Sequence, residues 1–109
     1  MFIIVHYLIV LPEHVDALTK LYNDEIIPAM IDLKGFDNGK LLEPMDKGES
    51  FMVLLEWESK TDADAYMSSG LYKEQYNKVI SFTTSEPTLK KYKYATVDKK
   101  ITVVINEEL

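Results

Sequence analysis

The chain contains no cysteine, which excludes disulfides, thiolate nucleophiles and cysteine-ligated metals and fits a reducing compartment such as the cytoplasm. Histidine is almost as scarce. His6 and His14 fall on a strand and on the start of the following helix, and no carboxylate stands at ligand spacing from either, so no metal site is expected. Positive charge is in the minority, with 12 basic residues against 18 acidic and a formal net charge of -6. That balance argues against a phosphate-backbone partner, and nucleic acid is not expected. No glycine-rich phosphate loop and no glycine-flanked serine elbow occurs. The apolar run over residues 1–11 has no basic residue before it, no small-residue cleavage pattern after it and His6 in its middle. It reads as a buried strand, not as a signal peptide or a membrane span.

At 109 residues and 47% hydrophobic, the chain suits one compact domain over residues 1–109. A first strand is expected over residues 2–10, apolar on both faces: Phe2, Ile4, His6, Leu8 and Val10 on one, Ile3, Val5, Tyr7 and Ile9 on the other. Pro12 and Glu13 suit a first helical turn. Val15, Leu18, Leu21, Tyr22, Ile26 and Met30 follow at helical spacing, with Pro28 expected to kink or end the helix. A second strand is expected over 36–43, a hairpin loop over 44–50, and a third strand from Phe51 in which Phe51, Val53, Leu55 and Trp57 share one face.

Thr61 and Asp64 resemble a capping box at the start of a second helix. Gly70 predicts a break into two helical pieces, over 62–69 and 71–82. Asp62 and Asp64 read as first-turn acids that complement the helix dipole. Residues 89–96 alternate as a fourth strand, whose Lys90, Lys91 and Lys93 read as protection of an exposed sheet edge. The stretch 98–109 holds a β-branched run at 101–105, a candidate fifth strand or a tail that crosses to a partner. Strand, helix, strand, strand, helix, strand is the split βαβ pattern of an α+β, ferredoxin-like sandwich. Right-handed crossovers then place strands one and three side by side, with both helices on one face. The opposite face, carrying Ile3, Val5, Tyr7, Met52 and Leu54, is left without cover from this chain, and a second copy could cover it as a homodimer.

A lone tryptophan at the end of a strand, followed by a tyrosine-bearing helix, suits a flat aromatic guest. The bland alternative for Trp57 is a large core residue. Three tracts occur in a telling order: Lys34-Gly35-Phe36-Asp37 at the start of a strand, Glu56-Trp57-Glu58-Ser59 at the end of the next, and an ungapped helical stretch over 63–79. In these the chain resembles the antibiotic biosynthesis monooxygenase (ABM) domain family, which includes small quinol monooxygenases and haem-degrading monooxygenases. The resemblance implies a dimeric α+β barrel of two ferredoxin-like chains. Haem-degrading members use an asparagine in the first strand, a tryptophan at the end of the third and a histidine in the second helix as iron ligand. Those positions fall at His6, Trp57 and Tyr76 here, so only the tryptophan is kept. Quinol-oxidising members carry histidines where Tyr66 and Leu71 stand.

What the resemblance leaves is a small monooxygenase acting on an aromatic or quinol-like substrate without metal or flavin. His6 would be the base, Trp57 the stacking wall, and Tyr72 or Tyr76 the hydrogen-bond donor to the substrate anion. The bland alternative for His6 is a satisfied core residue. Phe2, Ile4, Leu8, Val53, Leu55, Tyr66, Leu71 and Tyr72 are the expected substrate-binding residues. Two alternatives stand beside this reading. One is a haem-binding enzyme with Tyr76 as ligand, the other a ligand-binding module without catalysis.

Overall fold

A computed structural model describes residues 1–96, so the expected fifth strand or crossing tail over 98–109 lies outside the described residues. Four antiparallel strands form one sheet in the order β2-β3-β1-β4. β1 (Phe2–Leu8) is central. It pairs with β3 (Phe51–Trp57) on one side and β4 (Thr88–Lys93) on the other, while β2 (Phe36–Leu42) pairs with β3. This is the split βαβ order that the sequence predicts. The first strand is shorter than expected: the ladder ends at Leu8, and Val10 makes only an isolated bridge with Thr83. The fourth ends at Lys93 and is exposed along most of its length.

Alternation along β3 holds without exception, with Phe51, Val53, Leu55 and Trp57 buried and Met52, Leu54 and Glu56 half-buried. The buried set joins Ile4 and Leu8 of β1 beneath the helices, where Leu18, Tyr22, Ile26, Met30, Ala63, Tyr66 and Val79 complete the core.

Pro28 does not end the first helix. A 3-10 turn (Pro12–His14) leads into α1 (Val15–Leu21), which passes through a π-helical turn (Tyr22–Ile26) into α2 (Ile27–Met30). A proline ring would collide with the carbonyl four residues back in a regular α-helix. Here the ladder has already widened, the Ile27 N–H bonding to the Tyr22 carbonyl. The same widening explains the stripe. Leu18, Tyr22, Ile26 and Met30 recur every four residues and would drift around a 3.6-residue helix, yet all four are buried.

The capping box expected at Thr61 and Asp64 forms two residues earlier. Ser59 is the N-cap of α3 (Lys60–Met67): its Oγ accepts the Asp62 N–H at 3.2 Å and its hydroxyl donates to Asp62 Oδ2 at 2.9 Å. Asp64 instead pairs with Lys60, one helical turn earlier, at 2.6 Å. The break expected near Gly70 occurs, with Ser68 closing α3 and Ser69 capping α4 (Gly70–Ile80), so glycine opens the second piece.

The outer face of the sheet differs from expectation at its centre. Ile3 and Val5 are only 8% and 3% exposed within the single chain. Ile3 lies between Glu56 and Tyr92, and Val5 between Leu54 and Lys90. Tyr7 beside them has the Lys90 ammonium 5.5 Å from its ring centre and its hydroxyl 3.3 Å from that of Tyr92.

Candidate functional site

Between the sheet and the helices lies a partly open cavity of about 30 Å³, room for about two water molecules. His6, Leu8, Val53 and Leu55 form its floor; Tyr22 and Ile26 enter from the π turn, Tyr66 from α3, and Tyr72, Gln75, Tyr76 and Val79 from α4. Its polar focus is one contact, His6 Nε2 at 3.0 Å from the Tyr72 hydroxyl. Burial lowers the His6 pKa from its usual 6.5 to about 4, so the imidazole is neutral at neutral pH. A neutral ring keeps one nitrogen as acceptor and one as donor, so the tautomer sets whether His6 or Tyr72 donates in this contact. The Tyr72 phenol is pushed up by burial and then by Tyr76 beside it.

A second polar contact ties the helices together. The Tyr66 hydroxyl donates to Gln75 Oε1 at 2.5 Å, and the Gln75 amide reaches the Ile26 carbonyl at 3.5 Å. Burial drives the Tyr66 pKa well above the ordinary phenol range, Tyr22 and Tyr72 adding to it. Rings run through the site in contact: Phe36 edge-on to Trp57 at 5.3 Å, Trp57 stacked on Tyr66 at 5.2 Å, Tyr66 edge-on to Tyr72 at 5.2 Å, and Tyr72 against Tyr76 at 6.1 Å. Trp57 is fully buried, and its indole N–H has no hydrogen-bond partner among the described residues.

Of the residues expected from the sequence, His6, Leu8, Val53, Leu55, Tyr66, Tyr72 and Tyr76 meet around this cavity. Trp57 does not line it. The register pairs Phe2 with Trp57 and His6 with Val53, so indole and imidazole share a face but stand four residues apart, roughly 13 Å at ordinary strand rise. Tyr66 fills the interval. Trp57 and Leu71 instead border a second cavity of about 220 Å³ with Leu33, Lys34 and Ser69. Ile4 is core, fully buried, and Phe2 is half-buried against it. Gln75 and Tyr22 were missed. Gln75 stands three residues after Tyr72 and four before Val79, a helical spacing that marks it as inward-facing. Tyr22 was legible as part of a core stripe but not as a cavity wall.

In this conformation the inner cavity has no room for haem, nor for a single aromatic ring. Tyr76 packs on Tyr72 at the wall of a cavity of about 30 Å³, whereas sites for organic ligands of moderate size run to ~300–1,000 Å³. Among the described residues no three histidine or carboxylate side chains come together as a metal site, and no helix is long and apolar enough to cross a membrane.

The family model for antibiotic biosynthesis monooxygenases matches residues 1–78, from β1 into the last turns of α4. Solved structures share the fold at low identity. A Deinococcus radiodurans protein provisionally described as an antibiotic biosynthesis monooxygenase superposes with a TM-score of 0.78 at 14% identity, over 94% of this chain and 100% of that one. A conserved protein of Methanosarcina mazei gives 0.74 at 20%, over 84% and 89%. The haem degrader MhuD of Mycobacterium tuberculosis, solved with two haems in its active site, gives 0.73 at 16%, over 91% and 100%. No curated protein sequence matches the chain significantly.

Proposed function

The chain belongs to the antibiotic biosynthesis monooxygenase family, and on that premise we propose that it is a homodimeric monooxygenase acting on an aromatic or quinol-like substrate without metal or flavin. The observation that carries this reading is the His6–Tyr72 contact at 3.0 Å inside a cavity walled by rings. A quinol bound there loses a proton to the imidazole, and its electron-rich anion reduces oxygen directly. One oxygen atom replaces a ring hydrogen and the other leaves as water. Hydroquinone plus O2 then gives hydroxyquinone plus H2O, with all four electrons supplied by the substrate and no external reductant.

An imidazole held near pKa 4 is a weak base while the cavity is closed. A phenolate beside it supplies the opposite charge that raises its pKa, and the Tyr72 hydroxyl is placed to donate to the same anion. Rings and aliphatics make up most of the cavity wall around the pair, and their low polarity strengthens both effects.

Oxygen uptake with a panel of quinols and anthrone-like phenols tests the reading. Replacing His6 by alanine is expected to lower the rate by about 10²-fold or more, the usual contribution of a positioned acid or base. An unchanged rate in His6→Ala would remove the imidazole from the chemistry. Silence across the panel, with a phenol still bound, would make the protein a binding module.

A further inference from the structure

Two cavities meet at one side chain that belongs to the walls of both. The inner cavity holds the His6–Tyr72 pair, the outer one has Trp57 and Leu71 at its border, and Tyr66 is the residue common to the two. A space of about 30 Å³ admits water but not an aromatic ring. Any ring that reaches His6 must therefore displace a wall. The floor cannot yield, since Leu8, Val53 and Leu55 sit in the sheet at 1–2% exposure. Tyr66 is different, because it also borders the outer cavity, about 220 Å³, along with the Trp57 ring on which it stacks. Its stacking on Trp57 can be replaced by the stacking of a guest. What holds it is its hydroxyl on Gln75, and Gln75 is anchored in turn by a long 3.5 Å contact to Ile26.

We propose that Tyr66 is a movable partition between the two cavities and that Gln75 is the positioning residue that holds it closed, so that this pair decides how large a ring passes from the Trp57 side to His6 and Tyr72. The proposal rests on the reading that the inner cavity receives an aromatic guest. The rival route runs past Pro87 and Tyr76, which also border the inner cavity, and a guest taking it would leave Trp57 undisturbed.

The single tryptophan makes the two routes separable. Phenol and 4-phenylphenol are titrated into 15N-labelled protein while the one indole N–H signal and the His6 ring signals are followed. In the wild type both sets of signals should move with one common Kd. Tyr66→Phe and Gln75→Leu cut the same hydrogen bond from opposite ends. Each should raise the preference for the two-ring phenol over phenol by about tenfold, and the double variant should add little further. Should Gln75→Leu fail to fold, Tyr66→Phe alone carries the comparison. The proposal is overturned if the preference is unchanged in the folded variants, if His6 responds while the indole stays still, or if neither phenol binds. Oxygen consumption is not read, so an inert protein would sink the monooxygenase reading and leave the partition standing.

Discussion

Burial fixes the protonation state of His6 before any substrate arrives, and this has a measurable consequence for stability. The folded imidazole titrates near pH 4 and the unfolded one near 6.5. Between those values the unfolded chain binds the extra proton, so this contribution is complete above about pH 6.5 and is lost as pH falls towards 4. Its size is up to about 3 kcal/mol. Urea unfolding at pH 7 and pH 4.5 should therefore show a smaller acid loss in His6→Leu than in the wild type, and equal losses would contradict the buried neutral state. Trp57 offers a second test. As a fully buried core ring, its replacement by alanine should cost about 3–5 kcal/mol. Trp57→Phe should cost far less, since it also removes an unpartnered N–H. Similar midpoints for the two variants would deny Trp57 its place in the core. The side of the sheet on which His6 and Trp57 fall was legible from alternation alone. Their separation by Tyr66, and the partners of the buried hydroxyls, were not, because these depend on how far two helices slide along the strands.

The helices reached their positions by local rules that the sequence states only in part. Ser59 and Ser69 each accept an N–H of the first turn that follows, from Asp62 and Tyr72 respectively, both at 3.2 Å. Ser69→Ala is expected to cost about 1 kcal/mol and to loosen the turn that presents Tyr72, whereas Thr61→Ala should change the thermal midpoint little. A larger effect at Thr61 would restore the capping box expected there. Choosing among Ser59, Thr61 and Asp64 from sequence fails because all three suit a helix start, and only the backbone decides which one precedes the first helical residue. Gly35 shows the opposite case. Its φ of +79° and the Asp62 carboxylate packed where a Cβ would stand both require glycine, whereas in the sequence it stands out only as part of the tract that opens the second strand. The π turn was hidden more thoroughly, since a stripe repeating every four residues passes for an ordinary amphipathic helix until Pro28 has to be accommodated.

At the scale of the whole molecule, the strand order followed from the succession of elements and the handedness of crossovers, and it is realised as β2-β3-β1-β4. Two-sided apolarity in β1 carried a second message, that the outer face of the sheet also seeks cover. Ile3 and Val5 find much of it within the chain, but Tyr7, Met52 and Leu54 remain half-buried. If a second copy covers them, Leu54→Lys should convert a dimer to a monomer in sedimentation while leaving the fold intact. A wild-type chain that sediments as a monomer would refute the homodimer. Shape alone cannot identify the chemistry, since the same fold holds two haems in MhuD at 16% identity. The account of this chain rests instead on the side chains beneath α4, where His6 and Tyr72 are in contact. A crystal structure with hydroquinone bound under anaerobic conditions tests that most directly. The expected result is a ring in the inner cavity with one hydroxyl within about 2.6–3.2 Å of His6 Nε2 and Tyr66 turned toward the outer cavity. A quinol seated on the outer face of the sheet, or away from His6 altogether, would contradict it.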